Sequence, residues 1–454
     1  MTSDRRRTAG GNSRDKRASA ISGVKALESL PPPTDLSFSG AGNLYATHAL
    51  HAFAARCPPP LVDWAIRNFS SPGETVLDPM AGSGTALVEA ALLGRAARGA
   101  DIDPLARLIA MVKATPVDLA VLDKTTAEVA RLLHDAPLDD TWRPVLPDAD
   151  RWFRPDVAAD LARIREAIFQ ASTDAAIADL LWVCFSSLIV ARTSVANARD
   201  LVHSRHHYRS WDHDPGTVER FTARTVRARK MMEEYQRRLT AVGNAAPDVA
   251  IIGSDARTLE LTDSEADLVF TSPPYCSALD YTRAHLFAVA WMTDVLNITV
   301  ENYRLLGRHY LGSERAPLAE AIPGDPVPPS LGVAEIDEIV EGLSDEPKRA
   351  WIVHRYFREM AQVLDECARV LRPGGHMVLV VCPSNVRRVA IPTHWLLAQL
   401  ATESAPPERR LELIECRERT IHDHRRVMPY LEAAFGQRMR TEYVLVIRRP
   451  EAAP

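Results

Sequence analysis

Thr75-Val-Leu-Asp-Pro-Met-Ala-Gly-Ser-Gly-Thr85 is a short apolar run that passes into a glycine-rich turn and, over residues 84–93, into a helical pattern. Gly82 and Gly84 carry no Cβ, so the turn tolerates positive φ and lets the backbone approach a ligand closely. The spacing is GxG rather than GxGxxG, and no GK[ST] follows, which argues against a dinucleotide fingerprint and a P-loop. Working outward, residues 60–69 predict an amphipathic helix before the turn and residues 97–102 a second strand after it. Strand, helix and strand in this order indicate an α/β unit.

The α/β pattern stops near residue 117. From 117 to 246 the periodicity is helical, most clearly over 157–169 and 217–239, with few strand candidates. Strands return at 249–252, 267–270, 377–381 and 443–448, with a helix over 356–370. The expected organisation is a basic tail and linker (1–43), the first part of an α/β domain (44–116), a helical insertion (117–246) and the second part of the domain (247–449). Pro31, Pro32 and Pro33 mark the linker, because consecutive prolines neither continue a helix nor donate to a ladder.

Composition narrows the class. The chain has 454 residues, 46% hydrophobic and 25% charged, as expected of an ordinary globular protein. The longest apolar stretch, 180–191, is interrupted by Ser186 and Ser187 and reads as a buried helix, so no membrane span is expected. Arg5, Arg6, Arg7, Arg14, Lys16 and Arg17 precede no apolar run, so the N-terminal tail does not read as a secretory signal. Six cysteines lack CxxC spacing, which disfavours a zinc site and a disulfide framework and fits a reducing cytoplasm. A net charge of −5 means that any nucleic-acid surface must be a local patch.

Acidic residues recur where the strands end. Asp101, in Gly99-Ala-Asp-Ile-Asp103, is placed to accept hydrogen bonds from ribose hydroxyls, and Asp255, in Gly253-Ser-Asp-Ala256, from an adenine amino group. A further strand, Asp267-Leu-Val-Phe-Thr-Ser-Pro-Pro-Tyr275, ends in Ser-Pro-Pro-Tyr. The lone pair of an aromatic exocyclic amine is delocalised into its ring and attacks a methyl group poorly. The Ser272 hydroxyl and the Pro273 carbonyl, held by Pro273 and Pro274, could accept the amine hydrogens and localise that lone pair, while Tyr275 offers a face for a flipped base. This would be catalysis by positioning and electrostatics.

The Asp78-Pro-Met-Ala-Gly-Ser-Gly-Thr85 segment resembles motif I of the amino-group DNA methyltransferases, and Thr271-Ser-Pro-Pro-Tyr275 resembles their motif IV. Thr47-His-Ala-Leu-His-Ala-Phe-Ala-Ala-Arg56 is similar to the segment before motif I, but carries Phe53, Ala54 and Arg56 where the commoner form is His-x-Tyr-Pro-Ala-Lys. Arg369-Val-Leu-Arg-Pro-Gly-Gly375, Asp280-Tyr-Thr-Arg-Ala-His285 and Arg199-Asp-Leu-Val-His-Ser-Arg205 also look like family segments.

The resemblance implies a Rossmann-like methyltransferase fold with a large helical insertion and S-adenosyl-L-methionine as cofactor, bound by Thr47, Asp78, Gly82, Gly84, Asp101, Asp255 and Thr271. Ser272, Pro273, Pro274 and Tyr275 are then catalytic, acting on a base flipped from double-stranded DNA. Serine at the head of motif IV favours cytosine N4 over adenine N6. Cytosine C5 chemistry needs a nucleophilic cysteine in a Pro-Cys pair, and Cys57 and Cys382 precede prolines instead. An RNA amino-group methyltransferase and a non-catalytic nucleic-acid-binding protein of the same fold are the alternatives.

The family's companion enzyme would be a separate restriction endonuclease. Residues 203–213 mix histidine, arginine and aromatics, and Arg220, Arg224, Arg227, Arg229 and Lys230 follow on a helix. They read equally as a nucleic-acid contact or as a solvated face balanced by Glu219, Glu233 and Glu234. No carboxylate or thiolate stands at metal-ligand spacing beside these histidines, so no metal is expected.

Overall fold

Four short apolar segments that end in Asp78, Gly99, Ile251 and Thr271 lie side by side in the computed structural model, which describes residues 36–38, 42, 44–54, 56–195, 208–210, 214–276, 281–313, 330–386, 389–421 and 441–451. The strands are β1 (Thr75–Asp78), β2 (Ala96–Gly99), β3 (Val249–Ile251), β4 (Ala266–Thr271), β5 (Leu371–Val381), β8 (Glu412–Thr420) and β9 (Thr441–Arg448). Their spatial order is β3-β2-β1-β4-β5-β9-β8. Neighbours from β3 through β5 are parallel, and β9 is antiparallel to both β5 and β8. Strand order reverses between β1 and β4, so the chain turns outward in opposite directions there and leaves a crevice at the strands' carboxyl ends.

Alternation on the strands makes three layers. Val76, Leu268, Phe270, Val378 and Val380 face one core, while Leu77, Val269, Met377, Leu379 and Val381 face the other. The second face is covered by α11 (Ala334–Glu341), α12 (Pro347–Val370) and α13 (Thr393–Thr402). The first is covered by α1 (Pro59–Phe69), α2 (Thr85–Leu92) and α3 (Pro104–Ala114), and by helices of the central region. This is a Rossmann-like α/β fold.

The central helices are α4 (Leu119–Asp135), α5 (Ala149–Trp152), α6 (Pro155–Ala171), α7 (Ala175–Ile189) and α8 (Thr217–Ala241). They do not form a compact unit of their own: residues 35–454 cluster as one, and Leu122, Leu161, Phe185 and Tyr235 belong to the same core as Val76 and Phe270. Trp142 and Phe153 both pack against Trp291 of α9 (Tyr281–Trp291), with ring centres 5.2 and 5.5 Å apart. The Tyr235 hydroxyl donates to the Ala114 carbonyl at 2.8 Å, tying α8 to the end of α3.

Several expectations need adjusting. The apolar segment read as too short for a bilayer extends over Ala175–Arg192, long and apolar enough to cross one by length and composition, yet it is packed against α3, α6, α8 and α9. The second strand stops at Gly99, which leaves Asp101 and Asp103 in the loop. The helix read over 356–370 starts nine residues earlier, at Pro347. Strand β8 and the hairpin of β6 (Ser384–Val386) and β7 (Val389–Ile391) were not foreseen. The tail over 1–35 and the segment 199–205 lie outside the described residues, as do all but 208–210 of 203–213.

Candidate active site

The carboxyl ends of β1 to β4 converge on one cleft. The turn after β1 begins with Asp78, whose Oδ1 accepts from the Met80 N–H at 3.1 Å, and continues through Gly82 (φ +50°) into Gly84 (φ +76°), the residue that caps α2. The loop after β2 folds onto it, because Asp101 Oδ2 accepts from the Gly82 N–H at 2.8 Å. A Cβ on Gly84 would stand 2.7 Å from the Cα of Ala110 on α3, and one on Gly82 would stand 3.2 Å from the Phe53 ring. Gly84 therefore serves helix packing, whereas Gly82 keeps the turn open beneath Phe53.

The cleft walls are Phe53, Ala54 and Arg56 from the segment before α1, residues 78–83 of the turn, and Asp101 and Asp103 after β2. Ser254, Asp255 and Arg257 after β3, Ser272 and Pro274 after β4, and Tyr281, His309 and Tyr310 also line it. Asp78, Gly82, Asp101, Asp255, Ser272 and Pro274 are thus brought together. Thr47 is not: it is fully buried, and its hydroxyl is spent on the Lys113 carbonyl at 2.6 Å. Gly84, Thr271, Pro273 and Tyr275 are also outside the lining. Thr271 instead backs Asp78, and the Tyr275 hydroxyl donates to Glu442 of β9 at 2.9 Å.

The electrostatics divide the acids. Burial pushes the Asp78 carboxyl up to about 7, against the nearby Thr271 hydroxyl and the hydrogen bond from the Met80 N–H. Burial, and then the charge of Asp103, push Asp101 up to about 6. Asp103 behaves oppositely. Burial would raise it, but His285, Tyr303 and the Leu105 N–H all donate to it (2.6, 3.0 and 2.8 Å) and hold it below the ordinary carboxylate range. Asp255 is held low by the Arg257 guanidinium, which grips it at 2.9 and 2.8 Å and also reaches Glu359 at 3.1 Å. It lines the cleft with part of its accepting capacity already engaged.

Two further features bear on chemistry. The Ser272 hydroxyl donates to the Val380 carbonyl at 3.1 Å, so its proton is committed and its lone pairs remain to accept. The buried Ser83 hydroxyl in the turn has no hydrogen-bond partner among the described residues. Sequence reading missed Ser83, Tyr310 and His309 as site residues, and marked Phe53 only as a departure from the commoner form of its segment. Tyr281 stood in a quoted segment without a role, and its ring stacks between Phe53 and Tyr310 with centres 6.0 and 6.4 Å away. Aromatic residues scattered over 250 positions carry no spacing signal that would join them.

A family model described as DNA methylase, for N6- and N4-specific enzymes, matches residues 28–111. The chain is similar to the Type II methyltransferase M.MvaI of Kocuria varians, 22% identical over 390 residues that cover 80% of this chain and 83% of that protein. It is 27% identical to M.BsoBI of Geobacillus stearothermophilus over 164 residues, 32% of each chain. A 77-residue stretch, 17% of this chain, is 35% identical to 14% of M.MjaII from Methanocaldococcus jannaschii. With its glycine turn, acids after the strands and Rossmann-like sheet, the chain is similar to the amino-group DNA methyltransferases over the residues these comparisons match.

Proposed function

We propose that the protein methylates the exocyclic N4 of cytosine in DNA, on a base flipped out of the duplex. The cofactor is S-adenosylmethionine, and the cleft suits it. The molecule carries positive charge, and Asp78 and Asp101 are buried carboxyls whose ionisation a cation would favour. Its hydroxyls and carboxylate would find Asp101 and the unpartnered Ser83 hydroxyl on the turn. When bound, it supplies an electrophilic methyl group.

The observation that carries the reading is the geometry of Ser272. Its proton is fixed on the Val380 carbonyl, so the oxygen presents lone pairs into the cleft beside Pro274. Accepting one amine hydrogen there, with the Pro273 carbonyl accepting the other, localises the nitrogen lone pair for attack. The nitrogen would gain the methyl as the sulfonium S–CH3 bond breaks, its electron pair staying on sulfur as a neutral thioether, and the nitrogen would then lose one of its protons to solvent. Serine at this position supports cytosine over adenine. An aspartate would accept in the same way, so adenine N6 is the second reading.

The relatives' Type II methyltransferase designation supports a role in restriction-modification, for which a separate endonuclease is the proposed companion, and six cysteines without CxxC spacing fit a reducing cytoplasm as the proposed setting. The central helices, between the cofactor turn and Ser272, are the proposed target-recognition region. Replacing Ser272 by alanine tests the assignment: cofactor binding by calorimetry should persist while methylation of DNA falls by about a hundredfold or more, as for loss of one preorganised group. Full activity in Ser272→Ala would contradict the role given to it.

A further inference from the structure

Helix α8 carries the run of basic residues whose two readings the sequence leaves equal. The structure separates them. Arg229 is paired with Asp123 and Glu233 (3.1 and 2.6 Å), Arg238 with Glu234 (2.9 Å), and Arg220 with Asp214 (2.8 Å). Arg224 and Arg227 have no hydrogen bond or ion pair among the described residues.

At i, i+4 and i+7, Arg220, Arg224 and Arg227 share one helix face and line one cavity, whose other wall includes Ala49, Leu50 and Cys184. Glu219 is the single carboxylate among the described lining residues. Burial, and the like charges of Arg220 and Arg227, disfavour the charge on Arg224, with only the Cys184 thiol acting the other way. Arg224 and Arg227, two neighbouring guanidinium groups with no carboxylate paired to either among the described residues, are an anion site in waiting.

Its place in the fold suggests which anion. Leu50 lines this cavity, and Phe53, three residues on, lines the cofactor cleft. Three residues span at most about 10 Å. Duplex DNA carries one phosphate charge per roughly 1.7 Å of its axis, so a duplex that delivers a base to the cleft and passes over this neighbouring wall would present phosphates to the cavity.

We infer that Arg224 and Arg227, assisted by Arg220, hold a backbone phosphate of the DNA close to the flipped nucleotide. This rests on the DNA-methylating function proposed above. The contact is sequence-independent: it fixes the register of the duplex on the protein and leaves base reading to other residues.

The test is anisotropy of a labelled duplex over a salt series, with the full-length protein, the Arg224→Gln/Arg227→Gln double variant, Arg227→Gln alone, and Arg229→Gln as a paired-arginine control. The double variant should bind about tenfold more weakly near 0.1 M salt, with the slope of log K against log salt flattened by about 1, whatever the duplex sequence. Arg227→Gln, at an exposed position, should move both in the same direction by less, and Arg229→Gln should move neither. S-adenosylmethionine affinity should be unchanged in all three.

An unchanged slope in the double variant, with a wild type that binds and methylates DNA, overturns the inference while leaving the function intact. So does loss of inorganic phosphate binding without any change toward DNA, which would make the cavity a site for the free ion. A wild type that binds cofactor but no DNA overturns the underlying function instead.

Discussion

Asp78 and Asp101 set the pH response of the cleft. In the free protein their carboxyls are raised to about 7 and about 6, so both are largely protonated at pH 5.5 and largely ionised at pH 8. A cationic ligand favours the ionised forms, so cofactor affinity should rise with pH through this window and level off above it. For Asp78 alone the ionised fraction grows about tenfold between pH 6 and 8, and calorimetry should show a gain of that order with proton release near neutrality. Affinity that is flat or falling over this range would remove the carboxylates from the binding role. Gly84→Ala should destabilise the protein by about 1–3 kcal/mol in denaturant titrations, because it combines a positive φ with a backbone contact at 2.7 Å. These roles were unevenly legible. Asp78, Asp101 and Ser272 are visible in sequence because each lies at or just past the end of a strand, beside a turn of recognisable chemistry. The packing role of Gly84 is set by Ala110, 26 residues away, and Thr47 is diverted by Lys113; neither partner leaves a mark on local spacing.

Among the elements, α3 and α9 are coupled through one carboxylate. Asp103 caps α3 with Oδ1 and receives His285 of α9 on Oδ2, and Tyr303 of α10 (Val300–Leu306) shares that oxygen. That junction positions Tyr281, one turn before His285, against Phe53 in the cleft. Asp103→Ala should therefore cost roughly 3–5 kcal/mol, the sum of a lost cap and two buried donors left without their acceptor. Thermal and denaturant melts measure the loss, and an effect under about 1 kcal/mol would show the junction to be incidental. From sequence, Asp103 reads only as an acid near a helix start. Its second function depends on His285, 182 residues further along, and such a distance is bridged only by the fold.

At the scale of the molecule, the helical region is part of the catalytic body. Trp291 of α9 sits between Trp142, Phe153 and Phe185, and the core is continuous from α4 to β4. Residues 117–246 expressed alone should therefore fail to show a cooperative melt by circular dichroism, because their apolar faces would lose the sheet and α9 as partners; a sharp cooperative transition would contradict the shared core. The sequence conveyed the alternation of strand and helix, and the interruption by helices, because those periodicities are local. That both parts share one core was not legible, since periodicity says which face is apolar and not what covers it. Methyl transfer from the cofactor cleft to an amino nitrogen on DNA is the activity that all of these roles serve. Its most direct measurement is transfer of labelled methyl from S-adenosylmethionine to duplex DNA by the full chain, followed by digestion and nucleoside mass spectrometry. Label in N4-methylcytosine is the predicted result; a protein that binds the cofactor yet leaves label in neither N4-methylcytosine nor N6-methyladenine would contradict it.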